Sequence, residues 1–596
     1  MPHGNRSFIR KLNIWRQRNA SREYFVYIMS ICTGLLSGLA AVAIKNLTFL
    51  IQDFLEGNLV SDYSFGFYFL FPILGLLLTW VMITFVLRRP VPQGISHTLR
   101  AISKRKGIFK RFQTFASVVT APFTVGFGGS VGLESPTVIT GAALSANLAS
   151  FFRLDQATRT LLIGCAAAGA MACIFKAPVA AIIFAVEVFS LDLTLVSLLP
   201  LLLASLAAVL TSYFFFGSET LLPFTLSDVF VIADFPYYIL LGIFSGLVSV
   251  YFNWVYFGVL NFYKENIKSG ISRLFLSGSL LGLLIYLIPP LYGEGYDLIN
   301  LLLQGDVLGA LGETFFNNFL DNIWVVIGLL AGLVIFKVFA TAITMAGGGI
   351  GGIFAPVLFM GSAMGNCFAK IINALGFEVS ESNFTLVGMT GLMAGVLHAP
   401  LTAIFLIAEL TGGYGLFVPL MVTAAISYGI NHSFMPHSVY ARELAQRGEL
   451  LTHDKDQAVL TLLDLRSVIE TNFVIIRPEM TLGQMVKDAV AQSKRNLFPV
   501  VDNNGILLGV ITLDDIREIM FDATLYEKTL VTDLMHAAPD YIFLDKDSSK
   551  QVMKKFQDSG AWNLPVIQDE KYIGFISKSK LLTAYRTELL RFSRNF

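Results

Sequence analysis

Glu134 stands in GFGGSVGLESPTV (residues 126–138), a glycine-rich apolar stretch that places a carboxylate between Gly132 and Pro136. A second stretch, GGIFAP at 351–356, repeats the glycine and proline spacing without the acid. Proline is at home in the first turn of a helix, where no backbone donor is needed. Both stretches therefore predict a break followed by a helix that starts inside the apolar region. Such a start exposes free amides and carries about half a positive charge. Two of them converging can hold an anion without lysine or arginine. A carboxylate at the same place is itself an anion and can take the position of a diffusing one. Two plainer readings stay open: glycines that only let helices pack closely, and a Glu134 that only stabilises its own first turn.

Other reactive side chains form no constellation. His97, His398, His432 and His437 are scattered, and no nucleophile–base pair or metal-spaced cluster is evident. Cys32, Cys165, Cys173 and Cys367 lie in apolar segments without a C-x-x-C pair, which reads as small buried hydrophobes. The expectation is a protein that is not an enzyme, with no metal, no disulfide and no required cofactor.

The elements that must position Glu134 are membrane spans. Of 596 residues, 55% are hydrophobic and only 14% charged. Runs such as FGFYFLFPILGLLLTWVMITFVL (65–87) can cross a hydrocarbon core of about 30 Å. Residues 5–22 are basic and polar, with no apolar core before a cleavage site, so no signal peptide is expected. Their Lys and Arg excess, and that of KRKGIFKR (104–111), places both segments in the cytoplasm. A net charge of +1 gives no argument for a nucleic-acid partner.

The chain is duplicated twice over. GAMACIFKAPVAAIIFAVEV (169–188) aligns with GLMAGVLHAPLTAIFLIAEL (391–410), pairing Pro178 with Pro400 and Glu187 with Glu409. Gly132–Pro136 aligns with Gly352–Pro356 at almost the same offset. Two related halves in a membrane protein place the site where they meet. Beyond Arg447 the chain turns polar, and LFPVVDNNGILLGVITLDDIR (497–517) is echoed by LPVIQDEKYIGFISKSK (564–580). These read as two copies of a βαβ-type unit. The boundaries expected are a segment 1–23, a membrane body 24–448 with halves 24–216 and 235–448, a linker 449–465, and soluble copies at 466–523 and 530–590.

Taken in order, these motifs resemble the CLC family of chloride channels and chloride/proton exchangers, with a C-terminal pair of CBS domains. The resemblance implies an all-α polytopic membrane domain with two inverted-topology repeats, followed by an α/β cytoplasmic CBS pair. GLESP looks like the family's GREGP motif, with Glu134 at the gating glutamate. GGIFAP looks like GxFxP, whose amides, here Ile353 and Phe354, bind the central chloride. SVYARELAQRG (438–448) looks like the last membrane helix, whose tyrosine, here Tyr440, contacts that chloride. The GSGIP motif falls on VPQGISHTL (91–99), so Gln93 replaces the coordinating serine, followed by Gly94, Ile95 and Ser96. Gln93 can donate through its amide, and Ser96 is the donor if the loop is shifted. The exchangers' second, proton-carrying glutamate falls on Val188, next to Glu187.

In the CBS copies the ribose-binding pattern is intact at Gly509–Asp515, with Thr512 and Asp515, whereas Lys580 replaces the acid in the second. One adenine-nucleotide site (ATP, ADP or AMP) or a purely structural pair are both compatible with this. The resemblance implies a homodimer in the inner or plasma membrane, each subunit with its own chloride pore. With Val188 non-titratable, the expectation is a passive, voltage- or pH-gated chloride channel. The alternatives are a chloride/proton antiporter using another proton route, a carrier of another anion such as nitrate or fluoride, and a nucleotide-sensing membrane protein.

Overall fold

The computed structural model describes residues 21–55, 67–191, 194–218, 230–311, 320–447 and 465–595, with Leu222, Glu449, Leu460 and Leu463 between them. The basic segment before Ser21 and most of the expected linker lie outside the described residues. Two compact units are formed, Met1–Arg447 and Gly448–Phe596.

The first unit is helical. Its helices are α1 (Arg22–Leu55), α2 (Phe67–Val81), α3 (Ser96–Arg105), α4 (Ala116–Gly126), α5 (Glu134–Phe151), α6 (Gln156–Phe175), α7 (Pro178–Phe189) and α8 (Leu195–Phe216). A second series follows: α9 (Phe235–Asn266), α10 (Gly270–Leu287), α11 (Tyr296–Leu303), α12 (Val307–Leu311), α13 (Ile323–Ala346), α14 (Phe354–Ala374), α15 (Glu381–Leu397), α16 (Pro400–Leu410), α17 (Phe417–Phe434) and α18 (Arg442–Gln446). Eight helices among the described residues are long and apolar enough to cross a membrane. Their outer faces carry residues such as Phe214, Trp254 and Leu50, while Ser30, Thr33, Ser37, Thr341 and Asn366 are buried inside. That is the reverse of a soluble protein and suits lipid outside and close, small-residue packing within.

The halves meet through contacts that are each made twice. Gly132 N–H donates to the Gly352 carbonyl and Gly352 N–H to the Gly132 carbonyl, both at 2.8 Å, in an antiparallel bridge. The Thr124 hydroxyl accepts from Ile350 N–H at 3.0 Å, and the Thr344 hydroxyl from Ser130 N–H at 3.3 Å. Gly128 and Gly348 turn the chain ahead of each bridge at φ +89° and +95°, where a side chain would be strained. Antiparallel pairing of equivalent residues is possible only about a local two-fold axis. The repeats are therefore inverted with respect to each other.

The same reciprocity holds at α7 and α16. The Glu409 carboxylate accepts from Val179 and Ala180 N–H at 3.0 and 2.8 Å. The Glu187 carboxylate accepts from Leu401 and Thr402 N–H at 3.0 and 2.8 Å and from the Thr402 hydroxyl at 2.6 Å. Each acid, near the end of its own helix, caps the start of the other. In an apolar surrounding those amides have no solvent to fall back on.

The second unit repeats the device in soluble form. Strands β1 (Leu497–Val501) and β2 (Leu507–Thr512) pair antiparallel, as do β4 (Asn563–Gln568) and β5 (Lys571–Ser577), and both pairs bulge at the same place. β3 (Ile542–Phe543) runs parallel to β4, and its equivalent in the first copy is a single parallel bridge, Ile476 to Val500. The segment ahead of each copy crosses to the other: Glu470 pairs with Phe575, and His536 with Val510, through two backbone bonds each. Each copy has its own core, one around Phe498 and Ile511, the other around Phe556 and Ile576.

Glu187→Ala and Glu409→Ala should each remove a set of hydrogen bonds to a charged group, worth about 1.5–3 kcal/mol apiece, and orphan two amides. Each variant is expected to lower the denaturation midpoint of the detergent-solubilised protein by several degrees (roughly 2–4 °C per kcal/mol in a large domain), with the matching Gln variants falling less. A midpoint equal to that of the parent in both Ala variants would show that the caps do not hold the halves together.

Candidate functional site

Helices α5 and α14 begin at Glu134 and Phe354, directly after the Gly132–Gly352 bridge. Their N-caps, Leu133 and Ile353, have nearly identical backbone angles, φ −88°, ψ −7° and φ −97°, ψ −4°. Neither has a side-chain cap, so the amides of the first turn are left to whatever lies in front of them.

In front of the second start lies a cavity of about 160 Å³, room for several waters. Gln93, Gly94, Ser96, Ser135, Gly351, Gly352, Ile353 and Tyr440 line it, with Tyr256 and Glu443 beside them. Of the residues singled out in the sequence, it thus gathers Gln93, Gly94, Ser96, Ile353 and Tyr440. Tyr440 is 3% exposed, and its hydroxyl has no hydrogen-bond partner among the described residues; the Ser135 hydroxyl is in the same state. Unpaired buried hydroxyls at a polar cavity are costly unless a water or an ion completes them. Gln93 departs from the simple expectation of an amide turned wholly to the anion, because its Nε2 donates to the Gly349 carbonyl at 2.9 Å. One of its two N–H bonds remains for the cavity. Ile95 is buried and precedes α3, while the Phe354 ring is buried against Phe175 and Phe184, at centroid distances of 5.3 and 6.2 Å.

Glu134 is fully buried and does not line this cavity. Its Oε1 accepts from the Tyr296 hydroxyl at 2.6 Å, and its Oε2 has no partner among the described residues. A Cβ placed on Gly132 would come within 2.0 Å of that Oε2. The carboxylate is therefore folded back over Gly132, and only glycine leaves it room.

Several neighbours were not singled out in the sequence. Glu294 accepts from Leu133 N–H at 2.9 Å. Lys337 is wholly buried in apolar α13, its Nζ donating to the carbonyls of Leu291 and Gly293 at 3.3 and 3.1 Å and lying 4.4 Å from the Phe359 ring centre. An ionisable residue inside an apolar span is a signal in its own right, and so is the acid flanked by glycines in GEGYDL (293–298). Val188 and Glu187 do not line the cavity, and the Glu187 carboxylate is taken by α16.

In the second unit, Asp515 Oδ2 accepts from Thr512 N–H and from its hydroxyl, both at 2.7 Å, and lies 3.0 Å from His536 Nε2. Partial burial works against the charged form of Asp515, but the Thr512 and His536 contacts outweigh it and hold the carboxyl below its usual range. At the equivalent place in the other copy the charges are exchanged, with Lys580 Nζ 3.9 Å from Glu470 Oε1.

A family model described as voltage gated chloride channel matches residues 74–432, and one for the CBS domain matches 465–522. A ClcB-like protein of Ralstonia nicotianae is 27% identical over 388 residues, covering 63% of this chain and 85% of that one. The H(+)/Cl(-) exchange transporter ClcA of Vibrio cholerae serotype O1 is 29% identical over 309 residues, 50% of this chain and 62% of its own. Among solved structures, a slow cyanobacterial Cl-/H+ antiporter superposes with a TM-score of 0.61 at 22% identity, covering 71% of this chain and 97% of the other. A eukaryotic CLC transporter gives a TM-score of 0.59 at 16% identity over 94% and 99% of the two chains, a likeness of fold. With the family model spanning more than half its length, the chain belongs to the CLC voltage-gated chloride channel family, a multi-pass membrane protein of anion transport that carries a C-terminal CBS unit.

Proposed function

We propose that the protein conducts chloride passively through the cavity at the meeting of α5 and α14, with Glu134 as its gate. The observation that carries this reading is the pair of unpartnered hydroxyls, Tyr440 and Ser135, facing the same cavity as the uncapped start at Ile353. Hydroxyl and amide donors with no fixed positive side chain stabilise a halide without trapping it. In this reading the amides of Ile353 and Phe354 supply the field, Tyr440 and the free Gln93 N–H orient the ion, and Gly94, Ile95 and Ser96 close the loop around it. Glu134 is a tethered anion at the neighbouring helix start. Protonation would release it from the positive helix end and let chloride take its place.

A second reading, chloride/proton antiport, is favoured by the names of the Vibrio relative and of the solved cyanobacterial structure. Against it stand Val188, which cannot titrate, and Glu187, whose carboxylate is occupied as a cap. We further assign the CBS unit to the cytoplasm, one adenine-nucleotide site to Thr512 and Asp515, and a homodimer of two independent pores to the assembly.

Glu134→Gln and Glu134→Ala should flatten the pH dependence of chloride efflux from proteoliposomes. Gly132→Ala should do much the same by evicting the carboxylate. A pH profile unchanged in all three would remove Glu134 from the gate. In liposomes clamped with valinomycin, a chloride gradient should drive no proton uptake. Uphill proton movement at a fixed chloride-to-proton ratio would replace the channel reading with the antiport one. Titration of the full-length protein with ATP, ADP or AMP should show one site per chain, weakened about tenfold or more by Asp515→Ala, in line with a lost hydrogen bond of about 1.5 kcal/mol or more. Absence of binding to the parent protein would make the pair structural.

A further inference from the structure

The start of α5 is met by two carboxylates. Glu134 lies over Gly132 with Oε2 fully buried and unpartnered among the described residues, and Glu294 holds the N–H of Leu133, the N-cap residue. That N–H belongs to the uncapped first turn and is one of the donors an anion arriving at α5 would use. The six-residue turn 291–296 carries both controlling groups. Its Glu294 takes the Leu133 amide, and its Tyr296 takes Glu134 Oε1. Lys337 fastens this turn through the carbonyls of Leu291 and Gly293, and the Tyr292 hydroxyl fastens it to the Gly126 carbonyl at 2.7 Å.

Unlike Glu134, Glu294 is only partly buried, so it stands nearer to solvent. Burial and the neighbouring Glu134 work against charge on its carboxyl, while the Leu133 N–H, Lys45 and Lys337 favour it. Lys45 lies roughly 35 Å along α1 from Arg22, at about 1.5 Å per residue, which puts this entrance far from the Arg22 end. Lys337 is wholly buried and committed to the carbonyls of Leu291 and Gly293, and the anchored carboxylate of Glu294 occupies the Leu133 donor.

Resting on the assignment of Glu134 as the gate, we propose that Glu294 is a second tethered anion, placed in series with it, which blocks the Leu133 amide against an entering halide. The anion path then carries two carboxylate plugs at one helix start, one deep and one at the mouth.

The test is chloride titration calorimetry on the full-length protein, together with crystals soaked in bromide and read by anomalous scattering. Glu294→Ala should bind chloride about tenfold more tightly, the order expected for removing one nearby like charge, and should show a bromide peak at the Leu133 amide. Glu294→Gln keeps the hydrogen-bond acceptor and loses only the charge, so it is the variant least disturbing to folding. It should also bind chloride more tightly. If Glu294 merely capped α5, Glu294→Gln would bind chloride as the parent does, and no bromide would appear at Leu133 in Glu294→Ala; either result overturns the proposal. Glu134→Gln separates the two readings. Tighter chloride binding there, with none in Glu294→Gln, leaves the gate standing and removes the second plug. Tighter binding in Glu294→Gln alone puts the failure on Glu134 instead.

Discussion

The two hydrogen bonds between Gly132 and Gly352 are the constraint on which the membrane unit depends. They bring together two points where the chain breaks and starts again as a helix, and they satisfy backbone groups that lipid could not. Everything near the site follows from that closeness. A side chain at Gly132 would strike Glu134, and one at Gly352 would come within 2.5 Å of the Ser135 hydroxyl. The glycines thus serve close approach, and the same closeness leaves room for the Glu134 carboxyl and the Ser135 hydroxyl.

Legibility in the sequence followed physical locality. The helix starts at Glu134 and Phe354 could be read because proline tolerance in a first turn is a property of a few neighbouring residues. The halves could be read because a duplication leaves a constant offset. What the offset could not say is that Glu187 and Glu409 cap each other's partner helices, since the contacts span more than two hundred residues. The part that Glu294 and Tyr296 play is not legible in the sequence, because it depends on a turn that folds back across about 160 residues. Gln93 shows the limit of reading a donor from residue type: the amide is present, but half of it is committed to Gly349.

The soluble unit reaches the same solution with different chemistry. Its copies exchange their leading segments, so that Glu470 serves the second and His536 the first. The acid–base pair at one cleft, Asp515 with His536, has an opposite-handed counterpart at the other, Lys580 with Glu470. The lysine that stands in the second copy where the first has Asp515 therefore arrives with an acid beside it, Glu470.

A seam with a two-fold axis offers the same face to both sides of a membrane, and by itself it could not tell one side from the other. The position equivalent to Glu134 across the axis is Phe354, whose ring is buried against Phe175 and Phe184. One half thus presents a carboxyl group, held by Tyr296, where the other presents a packed aromatic ring. The scaffold is thus symmetric in its backbone and asymmetric in its side chains at the residue where the halves meet, and the two sides of the seam are chemically different.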